Sequence, residues 1–400
     1  MKEPILIRGA RQLVTLCGLA GPRRGAALND LAIIPDGAIL IRDGCIDQAG
    51  PTRRVENLRA ARNAREINAA GRVVMPGFVD ARAQLWPMKA RQGSGRGPAE
   101  LSALPGRLLA ARARNVLAGM ARHGTTTVCA VTSAASDHAA ELKMLRVLAR
   151  LDGRPLGVSG AYVGSSSVQS EPRSDRAAQI ESLCTEVMPV IARRKLARFA
   201  VADCGAFEPP DIRRFLACAR HLGFRLRVWA RAGLSCVSLA LEMEAASVAL
   251  DGIEEEISGL AKSRTIALLQ PASGGPPGLD RRSAARTLIE SGAAIALASG
   301  FGFEDGPTYN MQMVISLACS EMGLSPAEAV SAATINAAHA LAYGEELGSL
   351  EPGKRADVIM LNVEDYRDLS HLFGINHVHM VLKNGEVIYQ EGEVTHWDGK

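Results

Sequence analysis

The chain has 400 residues, 47% of them hydrophobic and 4% aromatic, with a formal net charge of +4. That length buries a large core, enough for a barrel of about 250 residues and a smaller second domain. The mild charge argues against nucleic acid, and no apolar run approaches the ~18 residues of a membrane span.

Residues 1 to about 70 read as short strands and hairpin turns. Asp36-Gly37 and Asp43-Gly44 flank the apolar run 38–42, and Asp-Gly between apolar runs favours type I′ hairpins. Eight strand-like runs then alternate with helical segments: 73–80, 125–130, 156–164, 198–204, 225–230, 247–252, 265–272 and 293–300. Ser325-Pro326-Ala327-Glu328 has a capping serine, proline at the first helical position and glutamate at the third, which is a capping box. Further strands follow at 358–361, 378–382 and 386–389, the last two meeting across Lys383-Asn384-Gly385. The pattern predicts an α/β fold: a (β/α)8 TIM barrel over 73–344, and a small β-sandwich built from 1–72 and 345–400.

Eight cysteines without C-x-x-C spacing predict neither a disulfide framework nor a zinc knuckle, and reduced thiols in a cytoplasmic protein are expected. The densest basic cluster, Arg193-Arg194-Lys195 with Arg198, falls at the end of a helical pattern, where cations suit the helix dipole.

Gly71–Leu85 reads G-R-V-V-M-P-G-F-V-D-A-R-A-Q-L, a buried strand delivering side chains to a site at its carboxyl end. It resembles the first barrel strand of the amidohydrolase superfamily, where P-G-F-V-D runs into a metal-gripping His-x-His. The stretches 123–128, 141–146, 309–313, 334–338 and 348–357, and Tyr366 followed by Phe373-Gly374-Ile375-Asn376, narrow the resemblance to the imidazolonepropionase family. The likeness covers nearly the whole chain and implies hydrolysis of a cyclic amide, one zinc or iron, and a homodimer.

The resemblance also implies a ligand set: the His-x-His pair, a histidine after strand five and an aspartate after strand eight. Another histidine lies after strand six, near the attacking water. These positions fall on Arg82 and Gln84, Trp229, Gly300 and Leu250. A carboxylate after strand five falls on Arg231, a substrate tyrosine on Ala134 and a substrate histidine on Ser166, while an arginine past strand one corresponds to Arg91. Arg82 offers only donors and a fixed positive charge, Gln84 a weak neutral oxygen and Trp229 an N–H; Leu250 and Gly300 offer no side-chain ligand. The expectation is therefore a barrel without metal, cofactor or catalytic residue, binding a small carboxylate or a protein partner. Arg82, Arg91 and Arg231 beside the Trp229 indole suit a carboxylate; alternatively, Arg82 and Trp229 plug the vacated volume. The competing expectation is a hydrolase of cyclic-amide C–N bonds working through a remade site.

His377-Val378-His379 shares one strand face but lies far from the barrel mouth. His123 precedes strand two, and His138 follows it on the catalytic side. Ser165-Ser166-Ser167 lacks a nucleophile elbow, Cys129 reads as core, and Glu304 and Asp305 are the carboxylates nearest the emptied positions.

Overall fold

A computed structural model of the chain describes residues 3–18, 20–86, 98–132, 137–164, 176–205, 208–230, 236–250, 257–273, 280–302 and 306–392. Five strands come first: β1 (Ile5–Val14), β2 (Ile33–Arg42), β3 (Cys45–Pro51), β4 (Arg65–Asn68) and β5 (Val73–Pro76). Eight barrel strands follow among the described residues: β6 (Phe78–Ala83), β7 (Thr125–Val131), β8 (Gly157–Tyr162), β9 (Phe199–Asp203), β10 (Arg225–Ala230), β11 (Ser247–Leu250), β12 (Ile266–Leu269) and β13 (Ile295–Leu297). β14 (Val358–Leu361), β15 (Val378–Lys383) and β16 (Glu386–Gln390) complete the set.

The barrel strands pair in chain order, every neighbour parallel, as a (β/α)8 barrel requires. Alternation divides their side chains between two layers. Val79, Cys129, Ala161, Val201 and Trp229 join the interior cluster, whereas Val128, Ala200, Val228 and Val248 join the cluster shared with the helices. The other sheet runs β16-β15-β14-β5-β1-β2-β3, with β4 beside β1, so both chain ends build it. It curls over Ile7, Leu13, Ile39, Val74, Met360 and Leu382, and its β3 edge meets the residues leading into β14, where Ile46 N donates to Lys354 O at 2.8 Å.

The expected strand 73–80 divides at Gly77. Val73–Pro76 pairs with β1 and β14 in the terminal sheet, and the barrel starts at Phe78. Gly77 sits where the sheets touch: its N–H donates to Asp357 O at 2.9 Å, and an added Cβ would lie 2.2 Å from Thr126 Cγ2. Asp36-Gly37 is not a hairpin turn but a kink within β2, with Asp36 at φ 47°. Gly37 is packed so tightly there that a Cβ would come 2.3 Å from Leu13 Cβ. Asp43-Gly44 and Asn384-Gly385 do turn hairpins, with positive φ at both residues as type I′ needs. The capping box at Ser325 and Glu328 forms in both directions. Reduced thiols throughout were expected, but Cys204 and Cys236 form a disulfide across 32 residues of sequence. Among the described residues no helix is long and apolar enough to cross a membrane.

Candidate active site at the barrel mouth

The ladder runs from β6 round to β13, and side chains help to close the remaining seam. Asp80, on β6, accepts from Ser299 N at 3.0 Å, Ser299 Oγ at 2.5 Å and its own strand's Arg82 N at 3.2 Å. Gly300 N donates to Arg82 O at 3.0 Å and Gln84 N to Phe301 O at 2.7 Å, joining 82–84 to 300–301. Burial pushes the Asp80 carboxyl up to about 6, against the hydrogen bonds from Ser299 and the Arg82 backbone and the charge of Arg227, which hold it down.

Arg82 enters the mouth from this seam, only 9% exposed. Its guanidinium carbon lies 4.1 Å from the Trp229 ring centroid, and Nη1 donates to Gln270 Oε1 at 2.7 Å. Trp229 shares its strand face with Arg227, two residues earlier. Arg227 is buried and donates to Ser247 Oγ at 2.9 Å, Cys129 Sγ at 2.8 Å and Ala81 O at 2.7 Å. Cys129 is therefore a packed thiol, pushed up by burial, not a nucleophile poised at the surface. On the neighbouring strand Asp203 pairs in register with Trp229, and alternation from Phe199 and Val201 directs it to the interior.

Gly300 explains how these groups fit. At φ 63° it adopts a backbone shape that favours glycine, and a Cβ would lie 2.7 Å from Gln270 Oε1 and 3.0 Å from Ser273 Oγ. A larger side chain there and the Arg82–Gln270 hydrogen bond exclude one another.

The structure thus brings Arg82, Gln84, Trp229 and Gly300 together and sets Leu250 apart. Leu250 packs with Val248 and Ala230 in the layer facing the helices, while Ala249 shares the interior cluster with Trp229. Arg91, Ala134, Ser166 and Arg231 lie outside the described residues, as do the other two serines of 165–167, Glu304 and Asp305. The histidine pair at the start of β15 is split between partners: His377, just before the strand, lies beside Leu372 O, and His379, on it, beside Glu391. His123 bonds Gly119 O at 2.8 Å and packs edge-on to Tyr309, so it is structural. His138 begins the helix His138–Leu151, where burial pushes its imidazole down. Sequence reading missed Asp80, Asp203, Arg227, Gln270 and Ser299. The available signals were the polar positions at period two in R-L-R-V-W-A and the aspartate that ends the apolar run F-A-V-A-D.

Residues 278–388 match the amidohydrolase family. Over 98% of this chain and 98% of the relative, the sequence is 36% identical to the imidazolonepropionase of Symbiobacterium thermophilum. It is 34% identical to that of Solibacter usitatus, over 95% and 97% of the two chains. The chain belongs to the imidazolonepropionase family of amidohydrolases. In structure it is similar to E. coli guanine deaminase, with a TM-score of 0.73 at 16% identity over 98% of this chain and 100% of that one, a likeness of fold.

Membership in the imidazolonepropionase family corrects the expectation of an inactive binding protein that has lost its metal site. Relatives matched from end to end carry the name of an enzyme, and no observation shows a site lost. Guanidinium, amide, indole and a bare hydrogen at 82, 84, 229 and 300 do not fit a divalent ion. Among the described residues no three His, Cys, Asp or Glu side chains gather to hold one. The segments after β11 and β13 that carry Asp251, Glu254, Glu304 and Asp305 lie outside the described residues.

Proposed function

We propose that this chain is a hydrolase that opens a cyclic amide at its C–N bond through the remade barrel mouth, with imidazolone propionate as its substrate. The observation that carries the reading is end-to-end likeness to imidazolonepropionases at 36% identity. In this reading the Arg82 guanidinium, stacked on Trp229 and steadied by Gln270, anchors the substrate carboxylate. Asp203 takes a proton from water as its oxygen adds to the amide carbon. The C–N bond then breaks, and the departing nitrogen receives that proton. Asp80 and Ser299 act on the seam that carries Arg82, not on the reacting atoms.

Turnover of imidazolone propionate by the purified chain, followed by the loss of its ultraviolet absorbance, tests the proposal. Saturable turnover supports it; no turnover, with divalent metals supplied, overturns it. Arg82→Met should raise KM about tenfold or more, and Asp203→Asn should lower kcat by about 10²–10⁴-fold. An unchanged KM in Arg82→Met removes the guanidinium from its role as anchor.

A further inference from the structure

Two cysteines outside the barrel mouth meet across a crease between helices. Cys184 lies on the turn Leu183–Val187 and Cys218 near the end of the helix Pro209–His221, and each is half-buried. A proline brings the thiols together. Leu183–Val187 is a wide π-turn, in which Met188 N donates to Leu183 O, one residue further back than in an α-helix. The next residue, Pro189, has no N–H to give. Neither position therefore serves the Cys184 carbonyl, and the Cys218 S–H takes the place, donating to Cys184 O at 3.6 Å.

The Cys184 thiol in turn hydrogen-bonds Cys218. One turn along each helix Glu181 and Arg214 form an ion pair, both about half exposed, so the crease opens to solvent. Burial, with the contact to Cys218, pushes the Cys184 thiol up to about 12, which leaves it protonated and a poor nucleophile on its own. What the pair offers instead is two soft sulfurs, side by side and unbonded. A disulfide would need them to close to about 2.05 Å, whereas a bridging atom suits sulfurs in contact. Cys204 and Cys236 differ on both counts, being already bonded and only 4% and 5% exposed.

We propose that Cys184 and Cys218 form a dithiol site for a thiol-seeking centre that takes two sulfur ligands, of the class of the monosubstituted trivalent arsenicals. The two S–H groups condense with an arsenous oxide. Two As–S bonds form, the bonding of arsenic to oxygen breaks, and both thiol protons leave with that oxygen as one water. Arsenic stays trivalent, so the step needs no oxidant or reductant. The second sulfur binds intramolecularly and strengthens the hold of the first about 10²–10⁴-fold.

Phenylarsine oxide added to the full chain, freed of reductant, tests this by mass spectrometry under an excess of the monothiol glutathione. One arsenical should remain on each chain, and the dithiol dimercaprol should remove it. Cys184→Ser and Cys218→Ser should each weaken retention at least about a hundredfold, while Cys319→Ser should leave it unchanged. A peptide map of the unaltered chain, independent of any variant's folding, should show the arsenical joining the peptides that carry Cys184 and Cys218. No adduct surviving glutathione, an adduct kept in either single variant, or one joining any other pair of cysteines overturns the site.

Discussion

Lys383 and Arg82 are both buried cations, one between the two sheets and one at the barrel mouth. Lys383 Nζ lies 2.6 Å from Asp357 Oδ2, with both side chains almost wholly covered, and reaches Thr127 Oγ1 on β7 at 3.2 Å. Asp357 Oδ1 also accepts from Asn384 N at 3.0 Å. That pair fastens the terminal sheet to the barrel. Arg82 lies instead on an indole ring and donates to a neutral amide. A cation locked to a carboxylate between two sheets is committed to cohesion, whereas Arg82 stands at the mouth of the barrel, the end at which this fold places its sites.

The contrast is broken most directly at the junction. Asp357→Ala strands Lys383 without its counter-charge and should lower stability by about 3–5 kcal/mol in urea unfolding, while Arg82→Met should stay within about 1 kcal/mol. Equal losses would erase the distinction. Gly300→Ala sharpens the account of the mouth. Its Cβ would meet Gln270 Oε1 at 2.7 Å in a left-handed backbone, so a loss of about 1–3 kcal/mol is expected, with KM rising as in Arg82→Met. Unchanged stability and KM would show that the Gln270 contact is dispensable.

The smallest effect concerns a third buried charge, Glu141. It accepts from Thr132 Oγ1 at 2.6 Å and Val163 N at 3.3 Å, and burial pushes its carboxyl from 4.5 up to about 7. The folded protein then holds a proton that the unfolded chain has released. Stability should therefore fall as pH rises from 4.5 to about 7, and level off above. Asp80, held up near 6, contributes to the same fall, so the Glu141 part is read as the difference between the unaltered chain and Glu141→Gln. Glu141→Gln should reduce the fall between pH 6 and 7 by about 1 kcal/mol, and an unaltered slope assigns the titration elsewhere.

The barrel was legible because periodicity and turn chemistry act locally: eight apolar runs, Asp43-Gly44 and the box at Ser325 each name their own element. The mouth was less legible because facing is set by register. β6 departs from even pairing between Phe78 and Val79 and again between Asp80 and Ala83, so counting by twos does not show which of 79–84 turn inward. One residue of offset likewise moves Leu250 to the helix side and leaves Ala249 inside. Gln270 and Ser299 owe their place at β6 to strands that meet it only after the barrel closes, while Cys204 and Cys236 come together because they follow the neighbouring strands β9 and β10. No spacing rule reaches that far.

The position of β5 has a consequence for synthesis. Its neighbour β14 is made roughly 280 residues later, tens of seconds at about 5–20 residues per second. Throughout that interval the nascent N-terminal strands show an unmatched apolar edge to solvent or to any holdase present. Newly made chains should therefore clump before the last tenth is translated and resist clumping once it is.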